Sequence, residues 1–203
     1  MHIQPRTEDG FSDRVAVRIL EMMSSWAKVA YNHPDQWESI CKSFNPNQLE
    51  SKSELAESVM YWKEFTVLGG WYCNLLSAMC PSSDITSVDI DPICKKIGRK
   101  MTDNVKYITA DLLDYEVLTR AVINPSTEHI ETDKFLIHLN ETPKGTIYIM
   151  QNNNMFHEST HINCFHTLKD FKEYVEEEMI VQSYKQKTMS NGFIRFTVQA
   201  IKP

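Results

Sequence analysis

Residues 65–68 form a short β-rich run that leads into Gly69-Gly70-Trp71-Tyr72-Cys73, and a second run over 85–89 ends in an acid, Asp89. The order is strand, glycine turn, helix, strand, carboxylate. Glycine has no Cβ, so the backbone at such a turn bends tightly and approaches a ligand that any side chain would hold away. A carboxylate at the tip of the next strand can then accept both hydroxyls of a ribose. Gly69 and Asp89 are 20 positions apart, the interval at which the ribose-binding acid of a nucleotide fold follows its glycine turn. Asp89, with Ile90 beside it, is the ribose candidate. A chain built around this unit is an α/β protein.

The flanking segments extend the pattern. Val15, Ile19, Leu20, Met23, Trp26, Ala27 and Ala30 recur at helical spacing behind Ser12 or Asp13, and predict a capped helix over 13–31. Further helices are expected after His33-Pro34 and over 46–62. Residues 1–63 thus read as an all-helical cap or lid. Beyond them, β-rich runs at 65–68, 85–89, 105–110, 121–124 and 146–151 alternate with helix-like segments that include 71–80 and 93–101, as in βαβ units of a parallel sheet. Residues 179–187 and 193–201, joined through Met189-Ser190-Asn191-Gly192, predict an antiparallel hairpin. The expected fold is a Rossmann-like, mostly parallel sheet over 64–203, closed by that hairpin and covered by the N-terminal helices.

Charge and cysteine usage narrow the function classes. A net charge of −6 argues against a surface built to neutralise a phosphate backbone. The basic run Lys95, Lys96, Arg99 and Lys100 has no interleaved aromatics and reads as a solvated helix face, so nucleic acid is not the favoured partner. The five cysteines are odd in number and lack a CxxC pair, which fits reduced intracellular thiols. No apolar run approaches the ~20 residues of a membrane span, and the first residues lack the apolar core of a signal peptide. A cytoplasmic location is expected.

Five parallel strands, a glycine turn after the first and an antiparallel terminal hairpin resemble the class I S-adenosylmethionine-dependent methyltransferases, over about residues 65–202. The resemblance implies S-adenosylmethionine as cofactor. It places Gly69, Gly70 and Trp71, with Tyr72 alongside, at the methionine end and Asp89 on the ribose. Asp111, after the third strand and next to Leu112, falls on the adenine, and Asn124 at the end of the fourth strand is placed among the cofactor contacts. The family's spaced glycines are reduced here to Gly69-Gly70. Trp71 and Tyr72 either close over the cofactor or pack between helix and sheet. Asp91, just before Pro92, suits a helix cap, and Asp111 suits either an adenine contact or a cap. The Asn- and Met-rich composition is also similar to short stand-alone chains of this kind carried by phages.

In an open parallel sheet the reacting groups meet beyond the carboxyl ends of the strands. Asn124-Pro125 is similar to the start of the Asn-Pro-Pro-aromatic motif of amino-methyltransferases, but Ser126 and Thr127 break it. Glu128-His129 is similar to the Glu-His pair that follows the fourth strand in many small-molecule methyltransferases and in a metal-assisted RNA ribose methyltransferase group. This implies transfer to an oxygen or nitrogen of a small or medium-sized acceptor, with His129 as base and Glu128 orienting it, or else a packing role for His129. His157 and His161 would share a face on a helix and join Glu128 and His129 around a metal. The Asn-rich run before them fits an exposed polar rim equally well, and no metal is assigned. Gln151 and Asn153 are read as substrate or turn contacts. Because fold does not fix reaction, two alternatives remain: another S-adenosylmethionine-using or -degrading enzyme, and an inactive binding protein.

Overall fold

The computed structural model describes residues 9–203. Its strands are β1 (Glu64–Leu68), β2 (Asp84–Asp89), β3 (Val105–Thr109), β4 (Ala121–Asn124), β5 (Ile147–Asn153), β6 (Ile180–Thr188) and β7 (Ile194–Ile201). They form one sheet in the order β3-β2-β1-β4-β5-β7-β6. The first five are parallel; β7 pairs antiparallel with both β5 and β6. Winding runs outward from β1 through β2 and β3, then resumes on its other side with β4 and β5. The carboxyl ends of β1 and β4 therefore flank the switch point, where a crevice opens in such sheets.

Burial follows position in the sheet. All four residues of β4 and four of five in β1 are buried, as expected for central parallel strands covered on both faces, whereas the edge strand β6 is almost wholly exposed. The helices are α1 (Asp9–Asn32), α2 (Trp37–Lys42), α3 (Pro46–Val59), α4 (Asn74–Met79), α5 (Pro92–Met101), α6 (Thr132–Glu141) and α7 (Leu168–Glu176). Successive strand residues face opposite ways, so Val67 joins a core with Trp26, Ile40, Leu55, Leu76 and Ile97, while Leu68 joins Phe135, Tyr148, Phe171 and Val198 on the other side. The N-terminal helices thus share their core with the sheet. Trp26, fully buried, also donates its indole N–H to Met101 O at 3.0 Å, tying α1 to the end of α5.

Two local departures from the expected elements have clear causes. Helix α4 starts at Asn74 rather than Trp71 because Trp71 (φ 50°) and Cys73 (φ 52°) are left-handed, a conformation that a right-handed helix cannot include. Helices α6 and α7 lie outside those expected by position. The start of α7 carries a capping box, in which Thr167 Oγ1 accepts from Asp170 N and Asp170 Oδ2 accepts from Thr167 N. Among the described residues no helix is long and apolar enough to cross a membrane.

Candidate active site

The turn after β1 is held by its neighbour β2. Gly69 N donates to Val88 O at 2.8 Å, and Asp89 Oδ2 accepts from Trp71 N at 2.8 Å while its Oδ1 accepts from Asp91 N at 3.0 Å. Each carboxylate oxygen keeps a further lone pair for a ligand. The two glycines are required for different reasons. Gly69 has φ +70° and open space where a Cβ would point, whereas a Cβ on Gly70 would lie 2.2 Å from Ser87 Oγ. Asp91 caps α5 by accepting from Ile93 N at 2.8 Å.

Two cavities meet at this turn. An outer cleft of about 520 Å³ is lined by Asp89, Ile90, Asp111, Leu112, Ile130 and Lys134 among others, and an inner chamber of about 300 Å³ includes Lys52, Asn74, Glu128, His161 and Arg195. Gly69, Trp71, Ser126 and His129 line both and so stand at the neck between them. Asp111 also accepts from Leu113 N at 2.9 Å, so its cap coexists with a place on the cleft wall. Tyr72 is fully buried and shares a 2.9 Å hydrogen bond with Ser39 Oγ, anchoring the turn to α2 while its ring borders the inner chamber. Asn124, expected at the cofactor, is buried and lines neither cavity; its Oδ1 accepts from Ser126 N at 3.1 Å and shapes the turn after β4.

Past that turn, a single 3-10 turn over Thr127–His129 presents Glu128 and His129. Glu128 is 2% exposed; its Oε1 lies 3.7 Å from Arg195 Nη1 and its Oε2 has no partner. His129 is exposed, and its Nδ1 is 2.9 Å from Thr160 O. A carbonyl only accepts, so Nδ1 carries the hydrogen and Nε2 is free to accept a proton. His161 packs edge-on against His129 with ring centroids 4.7 Å apart, and burial lowers its pKa.

Of the two readings of His157 and His161, the shared helical face does not form. Residues 154–167 are irregular, because Asn153 Oδ1 accepts from Met155 N at 2.8 Å and turns the chain out of β5. His157 stacks on Phe193 instead. Glu128, His129 and His161 do offer ligating atoms within 4.8 Å of one another. Arg195 already stands against Glu128 there and opposes a further cation. Gln151, expected as a substrate or turn contact, is wholly buried: its Oε1 accepts from Ser51 Oγ at 2.6 Å and its Nε2 donates to Thr197 Oγ1 at 3.3 Å, fastening α3 to the sheet.

Sequence reasoning missed Lys52, Asn74 and Arg195. Burial, reinforced by the charge of Arg195, pushes the Lys52 amine down to about 7, with Glu128 and Cys73 partly offsetting it. Nothing in Ser51-Lys52-Ser53-Glu54 separates this lysine from an ordinary solvated helix position.

Solved structures share this architecture at low sequence identity. N-methyltransferase NodS from Bradyrhizobium japonicum WM9 superimposes with a TM-score of 0.63 at 10% identity, over 79% of this chain and 99% of that one. Burkholderia thailandensis 1,6-didemethyltoxoflavin-N1-methyltransferase, with its didemethyltoxoflavin and S-adenosylhomocysteine bound, gives 0.61 at 10% identity over 100% of this chain and 93% of that one. This chain has the class I S-adenosylmethionine-dependent methyltransferase fold. A point mutant of MtNAS in complex with S-adenosylmethionine matches the same fold with a TM-score of 0.57 at 12% identity, over 95% of this chain and 77% of that one. No protein-family model and no curated protein sequence matches the chain. Within the class I fold the degenerate Gly69-Gly70 turn is completed by left-handed Trp71 and Cys73.

Proposed function

We propose that the protein transfers a methyl group from S-adenosylmethionine to an oxygen or nitrogen of a small or medium-sized acceptor. The observation that carries this reading is the neck: one cleft holds Asp89 and Asp111 at strand tips, a second chamber holds Glu128, and His129 borders both. The residues fit the cofactor. Open space above Gly69 receives its close approach, Asp89 retains lone pairs toward a ribose, and Leu112 and Ile90 supply apolar cover for an adenine. When bound, S-adenosylmethionine supplies an electrophilic methyl carbon.

This chain then has two tasks, alignment and proton removal. Trp71 and Ser126 narrow the passage, and in-line transfer depends chiefly on such positioning. His129 Nε2 is free to take the proton that a hydroxyl or amine acceptor loses, with its orientation fixed through Thr160 O. The N-terminal helices, which carry Lys52 and contact Tyr72 through Ser39, act as the lid of the acceptor chamber.

Calorimetry with S-adenosylmethionine and S-adenosylhomocysteine, followed by mass spectrometry of products from an acceptor panel, tests the reading. Saturable binding with product gaining one methylene supports it. Binding with transfer or loss of another part of the cofactor favours a different S-adenosylmethionine chemistry on the same fold, and absence of binding refutes it.

A further inference from the structure

Helix α1 carries more apolar surface than the protein's own core uses. Ile19, Trp26, Val29 and Ala30 are buried in that core. Val17, Leu20 and Tyr31 are instead 55%, 66% and 80% exposed, and Ser24 and Ala27 are exposed with them. These five positions recur at intervals of three, four, three and four, the a and d spacing by which two helices pair. The seam from Val17 to Tyr31 holds no charge and runs along roughly 22 Å of helix. Apolar residues exposed singly are ordinary, whereas a continuous stripe at helix-pairing spacing marks an interaction surface.

The charges beside the seam say what fits it. Glu21 and Lys28 are exposed, follow Leu20 and Ala27 directly and are seven positions apart, so both line the same side of the seam. A second copy of α1 laid end for end complements this row. With the two-fold axis beside Ser24, Val17 meets the partner's Tyr31, Leu20 the partner's Ala27 and Glu21 the partner's Lys28, each within one residue's rise of about 1.5 Å. Large residues then face smaller ones, opposite charges meet twice, and the small Ser24 lets the helices approach at the axis. A parallel pair would instead set like charges at the same height. We propose that α1 is the contact surface of a homodimer, in which the seams of two copies pack antiparallel and Glu21 and Lys28 pair reciprocally across them.

So short a seam falls below the roughly 1,200 Å² of a standard interface, so the dimer is of the weak, concentration-dependent class. No residue of α1 lines the outer cleft or the inner chamber, so the surface stands apart from the methyl-transfer reading.

Sedimentation velocity on the full chain, from about 1 to 500 µM in ~0.15 M salt, tests the pairing. The expected result is a reversible shift from the 23.6 kDa monomer toward twice that mass. Ser24→Glu places two carboxylates together at the axis and should weaken association about tenfold or more, whereas Ser24→Leu completes the apolar seam and should strengthen it into a discrete, tighter dimer. Lys28→Glu leaves only like charges along the row and should weaken association about fivefold or more; adding Glu21→Lys exchanges the two charges and should restore it. All three positions are exposed, so melting curves of the variants at the lowest concentration should match wild type. A monomer at every concentration overturns the proposal and leaves the stripe to a different partner. A dimer indifferent to both Ser24 variants puts the contact elsewhere, and one weakened by Lys28→Glu but not restored by the charge exchange refutes the antiparallel pairing.

Discussion

The two glycines of the β1 turn are adjacent, yet alanine at each should fail in a different way. At Gly70 the new methyl would lie 2.2 Å from Ser87 Oγ and 3.3 Å from both Ser87 Cβ and Val67 Cγ1. A carbon needs roughly 3.5 Å from its neighbours. The oxygen must therefore move by more than about 1 Å between two central strands, an overpacking strain of about 1–3 kcal/mol. In a chain of this size each kcal/mol lowers the melting temperature by roughly 2–4 °C. Most of that strain comes from one atom, so Ser87→Ala should relieve it. The coupling between Gly70→Ala and Ser87→Ala should then reach about 1 kcal/mol, against additivity within about 0.5 kcal/mol for sites that do not touch. Gly69→Ala meets no atom within 4 Å, so it should add to Ser87→Ala without coupling. Its cost is the left-handed φ of +70°, about 1–2 kcal/mol for a residue with a Cβ. Its methyl should also enter the space assigned to the cofactor and weaken S-adenosylhomocysteine more than Gly70→Ala does in folded protein. Denaturant melts of the singles and doubles, with calorimetry on the same preparations, measure both effects. Additive Gly70→Ala and Ser87→Ala, or unchanged affinity in Gly69→Ala, would refute this division of roles.

Other expectations follow from the same geometry. Asp89→Ala should weaken S-adenosylhomocysteine about tenfold to a hundredfold, the value of hydrogen bonds to a charged acceptor at about 1.5–3 kcal/mol, and a loss below about threefold in folded protein would remove Asp89 from the ribose. Asp89→Asn keeps one acceptor oxygen for the turn and should melt closer to wild type, which separates the structural bonds to Trp71 N and Asp91 N from binding. His129→Ala should keep cofactor affinity while turnover on the acceptor falls about 10²–10⁴-fold, and unchanged turnover would exclude it from proton transfer. Lys52 is held at about 7 in the folded chain, below the ~10.4 of an unfolded lysine. Between those values the unfolded state binds the extra proton, so the destabilisation is full below pH 7 and is relieved as pH rises. Lys52→Met should accordingly stabilise most at or below neutrality and progressively less toward pH 10, as read by denaturant midpoints across that range.

The βαβ grammar was legible because it rests on local rules: glycine at a tight turn, an acid one strand later, and alternation that the backbone of β1 and β2 obeys. The same rules misplaced the start of α4, since no residue-level signal marks Trp71 and Cys73 as left-handed; a non-glycine there is held by Asp89 from another strand. The Asn-rich stretch misled in the opposite direction. Gln151, Asn152 and Asn153 look like a solvated rim, but β5 carries them into the sheet, where partners on α3, β7 and the segment after β4 hold Gln151 and Asn152. Lys52 was invisible because its half-buried place on the chamber wall arises from where α3 packs, which no local pattern reports. The capping box that starts α7, by contrast, is written locally as Thr167-Leu168-Lys169-Asp170.

Strand β7 is last in chain order among the described strands but lies between β5 and β6 in the sheet. During synthesis β5 therefore keeps an open edge, and β6 has nothing to pair with, until residues 194–201 emerge. Residues 194–201 contribute to both ladders and carry Arg195 to the inner chamber, so the sheet cannot close without delivering that side chain. A chain lacking β7 would instead expose the unpaired edge of β5, a surface prone to pair with another copy.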